Sequence, residues 1–100
     1  MDITFRVDKD ILYIAVNGRI DASNAAAAEE KILFIKAENK DKHTVLDADH
    51  LEYISSAGLR VILKAQKIMA AKGGMKLLHV NETIMEIFEI TGFSDILTIE

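Results

Sequence analysis

The side chains with chemical reach in this chain are a pair of serines, three histidines and a short acidic run. Ser55-Ser56-Ala57-Gly58 stands between a polar turn and a long apolar-periodic segment, and serine is a residue type that caps a helix N-terminus through its side-chain oxygen. A hydroxyl there lies among free backbone N–H groups at the positive end of a helix dipole, so phosphate on Ser55 or Ser56 would be tolerated electrostatically. A plain cap is the ordinary reading of such a serine; a phosphate switch is the sharper one. Gly58, in the first turn, costs a helix roughly 0.5–1 kcal/mol relative to alanine. Either something must approach the backbone closely at Gly58, or packing alone requires a residue without a side chain.

Other chemistries are poorly supplied. The serine segment lacks the first glycine of G-x-S-x-G, and no constellation provides a nucleophile, a positioned base and an oxyanion site together. No catalytic residue is assigned, the chain is not expected to be an enzyme, and a small hydrolase built on Ser56 is the remote rival. His43, His50 and His79 are candidates by type only, since no two have the spacing of a helix-borne zinc site. Asp47-Ala48-Asp49 lacks the third acid and the glycine of a calcium loop, and Gly18, Gly73 and Gly74 fall in no phosphate-binding glycine pattern. No metal and no cofactor is expected.

A length of 100 residues, 50% hydrophobic and 28% charged, fits one soluble domain over residues 1–100. The chain has no cysteine, so disulfides and thiolate metal sites are excluded. The first six residues contain no apolar targeting core, and no apolar run approaches the roughly 18 residues of a membrane span, so a cytoplasmic location is expected. A net charge of −4 argues against non-specific attachment to nucleic acid or to an anionic membrane. A protein partner fits better.

The elements that must position the serines follow from periodicity. Residues 3–7 alternate like a half-buried strand, Asp8-Lys9-Asp10 turns, and residues 11–16 form a second strand ended by Asn17-Gly18, which predicts an antiparallel hairpin. A helix beginning near Ala22 runs to about Glu38, with Ala25, Ala28, Ile32 and Ile35 on its inner face. Phe34 falls opposite that stripe, so either it is an exposed aromatic used by a partner or the helical phase is wrong. A strand through Thr44, Val45 and Leu46 ends in the polar turn Asp47-Ala48-Asp49-His50, and the helix near Ser56 continues until Gly73-Gly74. That helix carries one apolar stripe of Leu59, Ile62, Leu63 and Met69, a second of Val61, Ala65 and Ile68, and a polar strip of Arg60, Lys64 and Lys67. The strip could meet an acidic partner or steady a phosphate, although a solvated face is its common meaning. Residues 75–80 give a further strand, Asn81 caps a helix whose inner face is Ile84, Ile87 and Phe88, Gly92 closes it, and residues 96–99 form the last strand. The order β-β-α-β-α-β-α-β predicts an α/β domain with a mixed, centrally parallel sheet.

Taken together, several segments resemble the STAS domains, whose stand-alone bacterial members are anti-sigma factor antagonists. They are the opening hairpin, Gly18-Arg19-Ile20-Asp21, Leu46-Asp47, Tyr53-Ile54-Ser55-Ser56-Ala57-Gly58-Leu59 and Thr91-Gly92-Phe93. Aligned on Gly58-Leu59, the family's phosphorylated serine corresponds to Ser56; Ser55 stands where the regulated members carry aspartate. Asp21 matches an acidic position near that serine. The resemblance implies a module that captures an anti-sigma factor, itself a serine kinase, and thereby releases a sigma factor, with a serine phosphatase as a further partner. Asp21, Ser55, Ala57, Gly58 and Arg60 are the partner-binding candidates around Ser56. A scaffold or sensor domain of the same family that is never phosphorylated is the alternative.

Overall fold

The computed structural model describes residues 1–70 and 74–100. The alternating residues at the start of the chain form β1 (Asp2–Asp8), which turns and returns antiparallel as β2 (Ile11–Ile20). Then come α1 (Ala25–Glu38), β3 (His43–Asp47), β4 (Leu51–Ile54), α2 (Ser56–Ala70), β5 (Met75–Leu78), α3 (Glu82–Thr91), a short 3-10 turn at Phe93–Asp95, and β6 (Thr98–Ile99). The six strands form one sheet in the order β1-β2-β3-β5-β6, with β4 paired to β2. The pairs β2–β3, β2–β4, β3–β5 and β5–β6 are all parallel, so the mixed, centrally parallel sheet is the observed one.

Inner faces match the periodicity. Ala25, Ala28, Ile32 and Ile35 of α1 are buried, as are Leu59, Val61, Ile62, Ala65 and Met69 of α2 and Ile84 and Phe88 of α3, all in one core cluster with Leu12, Ile14 and Leu46 of the sheet. The helical phase of α1 is therefore right, and Phe34 is 66% exposed. Lys36 is buried as well; its ammonium donates to the carbonyl of Lys42, which lets its stem fill core space while the charge finds an oxygen. Asn81 caps α3 by accepting the Ile84 amide at 2.9 Å, and Gly92 closes that helix in the left-handed region.

The departures have local causes. β2 does not end at Asn17-Gly18. It continues to Ile20, because Gly18 adopts φ +87 and the register shifts between Gly18 and Arg19, a bulge that carries the strand from β3 onto β4. The strand β4 itself was not expected: four residues after a polar turn give too short an alternation to register. α1 starts at Ala25 instead of near Ala22, since residues 22–24 are held in a turn. The strand beginning at Met75 stops at Leu78, where His79 takes φ +61, and the last strand is only Thr98–Ile99 because Leu97 still hydrogen-bonds back to Phe93. Gly74 donates to the Met69 carbonyl at 2.7 Å; Gly73, expected to close α2 with it, lies outside the described residues.

Candidate functional site

Two parallel strands deliver the site. Ile20, the last residue of β2, pairs with Ile54, the last of β4, and the Ser55 amide donates to the Ile20 carbonyl at 2.9 Å. Asp21 and Ser55 therefore leave the sheet side by side, and α2 begins at once. Ser55 is the cap residue: its carbonyl accepts from the Leu59 amide at 2.8 Å, and its hydroxyl lies 3.4 Å from the Gly58 amide, a long cap bond. With Ser55 as the cap, Ser56 stands at the first helical position. Ser56 is exposed, and its hydroxyl makes no hydrogen bond to any described residue. No acidic residue occupies the first turn of α2, so the positive end of its dipole is uncompensated from within the helix.

Arg60 is exposed and lies four residues after Ser56, the spacing that puts two side chains on one face of a helix. Lys64, a turn further on, is paired with Glu29 of α1 at 3.3 Å, which links the two helices and removes one member from the free basic strip.

Asp21 is held by its own turn. Its carboxylate accepts from both the amide and the hydroxyl of Ser23, its amide donates to Asn24 Oδ1 at 2.9 Å, and Asn24 Nδ2 donates to the Arg19 carbonyl at 2.9 Å. The Ser23 hydroxyl above all, then the Ser23 amide, lowers the Asp21 carboxyl below its usual range despite a small opposing contribution from burial. A fixed negative charge thus stands at the end of β2, where β4 and α2 meet. Beside it the Arg19 guanidinium stacks on the Tyr53 ring at 4.3 Å.

Gly58 and Ala57 are placed differently from the exposed serine. Ala57 is half-buried against the core, and Gly58 is buried. A Cβ at Gly58 would stand 2.6 Å from Ile54 Cγ1 and 2.9 Å from Ile20 Cγ2. Of the two alternatives at Gly58, packing is the one observed: the space a side chain would need is filled by Ile20 and Ile54 at the ends of β2 and β4. The structure gathers Asp21, Ser55 and Ser56 at one corner with Arg60 one turn away, and puts Gly58 beneath it.

Asn24, Arg19 and Tyr53 had no site role assigned from the sequence, although Arg19 and Tyr53 lie in the segments that carry the family resemblance. Asn24 is one of three residues of cap type, with Asp21 and Ser23, that precede the alanine run, and nothing local singles it out; the Arg19–Tyr53 stack depends on β4, which gave no signal of its own. A second polar pair lies at the ends of β3 and β5, where His79 Nδ1 and Asp47 Oδ1 are 2.9 Å apart and the Asp49 amide donates to the same carboxylate at 3.0 Å. Partial burial works to raise the Asp47 carboxyl, but His79 and the Asp49 amide outweigh it and hold it low, while the hydrogen bond to Asp47 raises His79. No group of three or more His, Cys, Asp or Glu able to hold a metal occurs among the described residues.

The STAS domain family model matches residues 2–100. The chain belongs to the STAS domain family. It is 33% identical over 97 residues to BtrV of Bordetella bronchiseptica, covering 96% of this chain and 83% of that protein. It is 26% identical over 100 residues to the anti-sigma-B factor antagonist of Bacillus subtilis, covering 99% of this chain and 90% of that one. The crystal structure of an anti-sigma factor antagonist from Mycobacterium paratuberculosis superposes with a TM-score of 0.86 at 18% identity, over 98% of this STAS domain and 83% of the other chain. That likeness bears out the fold. None of the described helices is long and apolar enough to cross a membrane.

Proposed function

We propose that this STAS domain is an anti-sigma factor antagonist, a protein-binding module switched by phosphorylation of Ser56. In its unmodified form it captures an anti-sigma factor that is also its serine kinase and so frees a sigma factor. A serine phosphatase restores the binding form. It acts in the cytoplasm, and it carries out no catalysis of its own.

The observation that carries this reading is the exposed hydroxyl of Ser56, unbonded among the described residues, at the first position of a 15-residue helix whose cap function is already served by Ser55. A kinase needs a reachable hydroxyl, and phosphorylating Ser56 does not break the cap. Phosphate adds roughly −1.5 to −2 charges and three acceptor oxygens. At this position the helix N-terminus and Arg60 accommodate that charge without loss of fold, while an apolar or acidic partner surface would reject it. Asp21 and Ser55 border the same corner and contact the partner; Arg60 steadies the phosphate; Ala57 and Gly58 act by seating the helix.

The kinase captured from the source cell, incubated with the protein and labelled ATP, tests the acceptor. Phosphate enters the wild type and is absent from Ser56→Ala, as read by intact mass. Undiminished incorporation in Ser56→Ala would move the acceptor to Ser55 and overturn the assignment.

A further inference from the structure

At the opposite end of α2 from Ser56, the starts of β3 and β5 and the last turns of the helix enclose a half-open cavity of about 620 Å³. Gln66 lies ten residues along α2 from Ser56, about 15 Å at the helical rise per residue. The walls are mainly apolar, with Ile11, Val45 and Met75 prominent. His43, Thr44, Gln66, Lys76 and Thr98 supply its polar lining, and two of these five carry a buried polar atom. Thr44 is only 2% exposed and its hydroxyl has no hydrogen-bond partner among the described residues; Gln66 Oε1 is likewise buried without one. Both residues line this cavity, and they are the only such side-chain atoms among the described residues. Burying a polar atom without a partner is costly, and native folds rarely leave one so, still less two in the same space. A cavity of this size lies in the range of small-molecule sites and is many times the volume of one water molecule.

We propose that this cavity binds a small uncharged molecule that joins an apolar body to a hydrogen-bond donor, as a phenol or an alcohol does. Gln66 Oε1 accepts only, and the Thr44 hydroxyl either accepts or donates. The C-terminal end of α2 adds partial negative charge, which favours a donor and disfavours an anion. Lys76 at the rim is paired with Glu100 at 3.5 Å and supplies no unpaired charge for an acidic ligand. The site is separate from the Ser56 corner and requires no phosphorylation.

Phenol and toluene, nearly equal in size and differing in the donor, are the probes, titrated into the whole protein and followed by ¹H–¹⁵N spectra. Phenol shifts the Thr44, Val45, Gln66 and Met75 signals saturably and binds at least about tenfold tighter than toluene, a difference of about 1.4 kcal/mol. Thr44→Val and Gln66→Leu each bring phenol down to the affinity of toluene. Thr44→Val leaves the unliganded thermal midpoint unchanged or higher, because it removes an unpaired hydroxyl at nearly constant volume. Shifts that never saturate, equal affinity for the two probes, or unaltered phenol binding in both variants would overturn the proposal. So would a lowered midpoint in Thr44→Val, which would show the hydroxyl already satisfied by a resident water.

Discussion

The Cβ that Gly58 lacks would lie 2.6 Å from Cγ1 of Ile54, so the first turn of α2 can seat itself on the end of β4 only because residue 58 has no side chain. Alanine there gains about 0.5–1 kcal/mol in helix propensity. Against this, forcing a methyl into a filled core costs about 1–3 kcal/mol. Gly58→Ala is therefore expected to lower unfolding stability by about 1–2 kcal/mol in urea, on the balance of those two magnitudes. Combined with Ile54→Ala the losses should add to less than their sum, since the second change removes the atom that the first one meets. Strict additivity would mean that the two residues do not touch.

Ser55→Ala removes the α2 cap and nothing else that the fold depends on. Because the cap bond is long at 3.4 Å, the expected loss is at the low end of the range for such substitutions, about 0.5–1 kcal/mol. Phosphorylation of the protein should persist. A loss above about 2 kcal/mol would exceed what a single cap contributes and point to a role for the hydroxyl beyond capping.

Asn81 serves two elements at once. Its Oδ1 caps α3 and its Nδ2 donates to the Leu51 carbonyl of β4 at 2.9 Å. Asn81→Asp retains the first bond and loses the second, costing about 0.5–1.5 kcal/mol, the net contribution of one hydrogen bond. Asn81→Ala loses both and should cost more by about 1 kcal/mol, the usual worth of a cap. Equal losses in the two variants would show that only one of the bonds contributes.

The Asp47–His79 pair makes stability depend on pH at both ends of a window. His79 is raised above its ordinary 6.5, so its contribution is fully present below that value and is lost as pH climbs through the higher folded value. Asp47 is held below 3.8, so its contribution is present above that value and is lost as pH falls through the lower folded value. The contribution of the pair is therefore greatest between about pH 4 and 6.5. In His79→Gln the decline on the alkaline side should flatten, as measured by thermal midpoints across that span; an unchanged profile would remove the pair from the account.

Much of this architecture was legible because periodicity reports burial. The alternation of residues 3–7 and the stripes through Ile32, Ile62 and Phe88 each register a face against the core, and Ser55, Asn81 and Gly92 carry local chemistry that marks helix ends. What escaped depends on non-local pairing. β4 is four residues long and exists because the bulge at Gly18 turns β2 toward it, a relationship between segments about 30 residues apart. The same holds for the site. Ser56 was legible as a hydroxyl at a helix start, but the Asn24 lock on the Asp21 turn, the Arg19–Tyr53 stack and the burial of Gly58 all arise where β2 and β4 end together.

Charge at Ser56 is expected to govern partner binding while leaving the fold intact. The decisive measurement is the affinity of the anti-sigma factor kinase for three forms of the protein, unmodified, phosphorylated and Ser56→Ala, by titration calorimetry, with unfolding midpoints recorded alongside. Unmodified protein and Ser56→Ala should bind alike, phosphorylated protein should bind at least about a hundredfold more weakly, equivalent to about 2.7 kcal/mol, and all three should unfold at similar temperatures. Equal affinity for the phosphorylated and unmodified forms, or a loss of binding matched by a loss of stability, would contradict it.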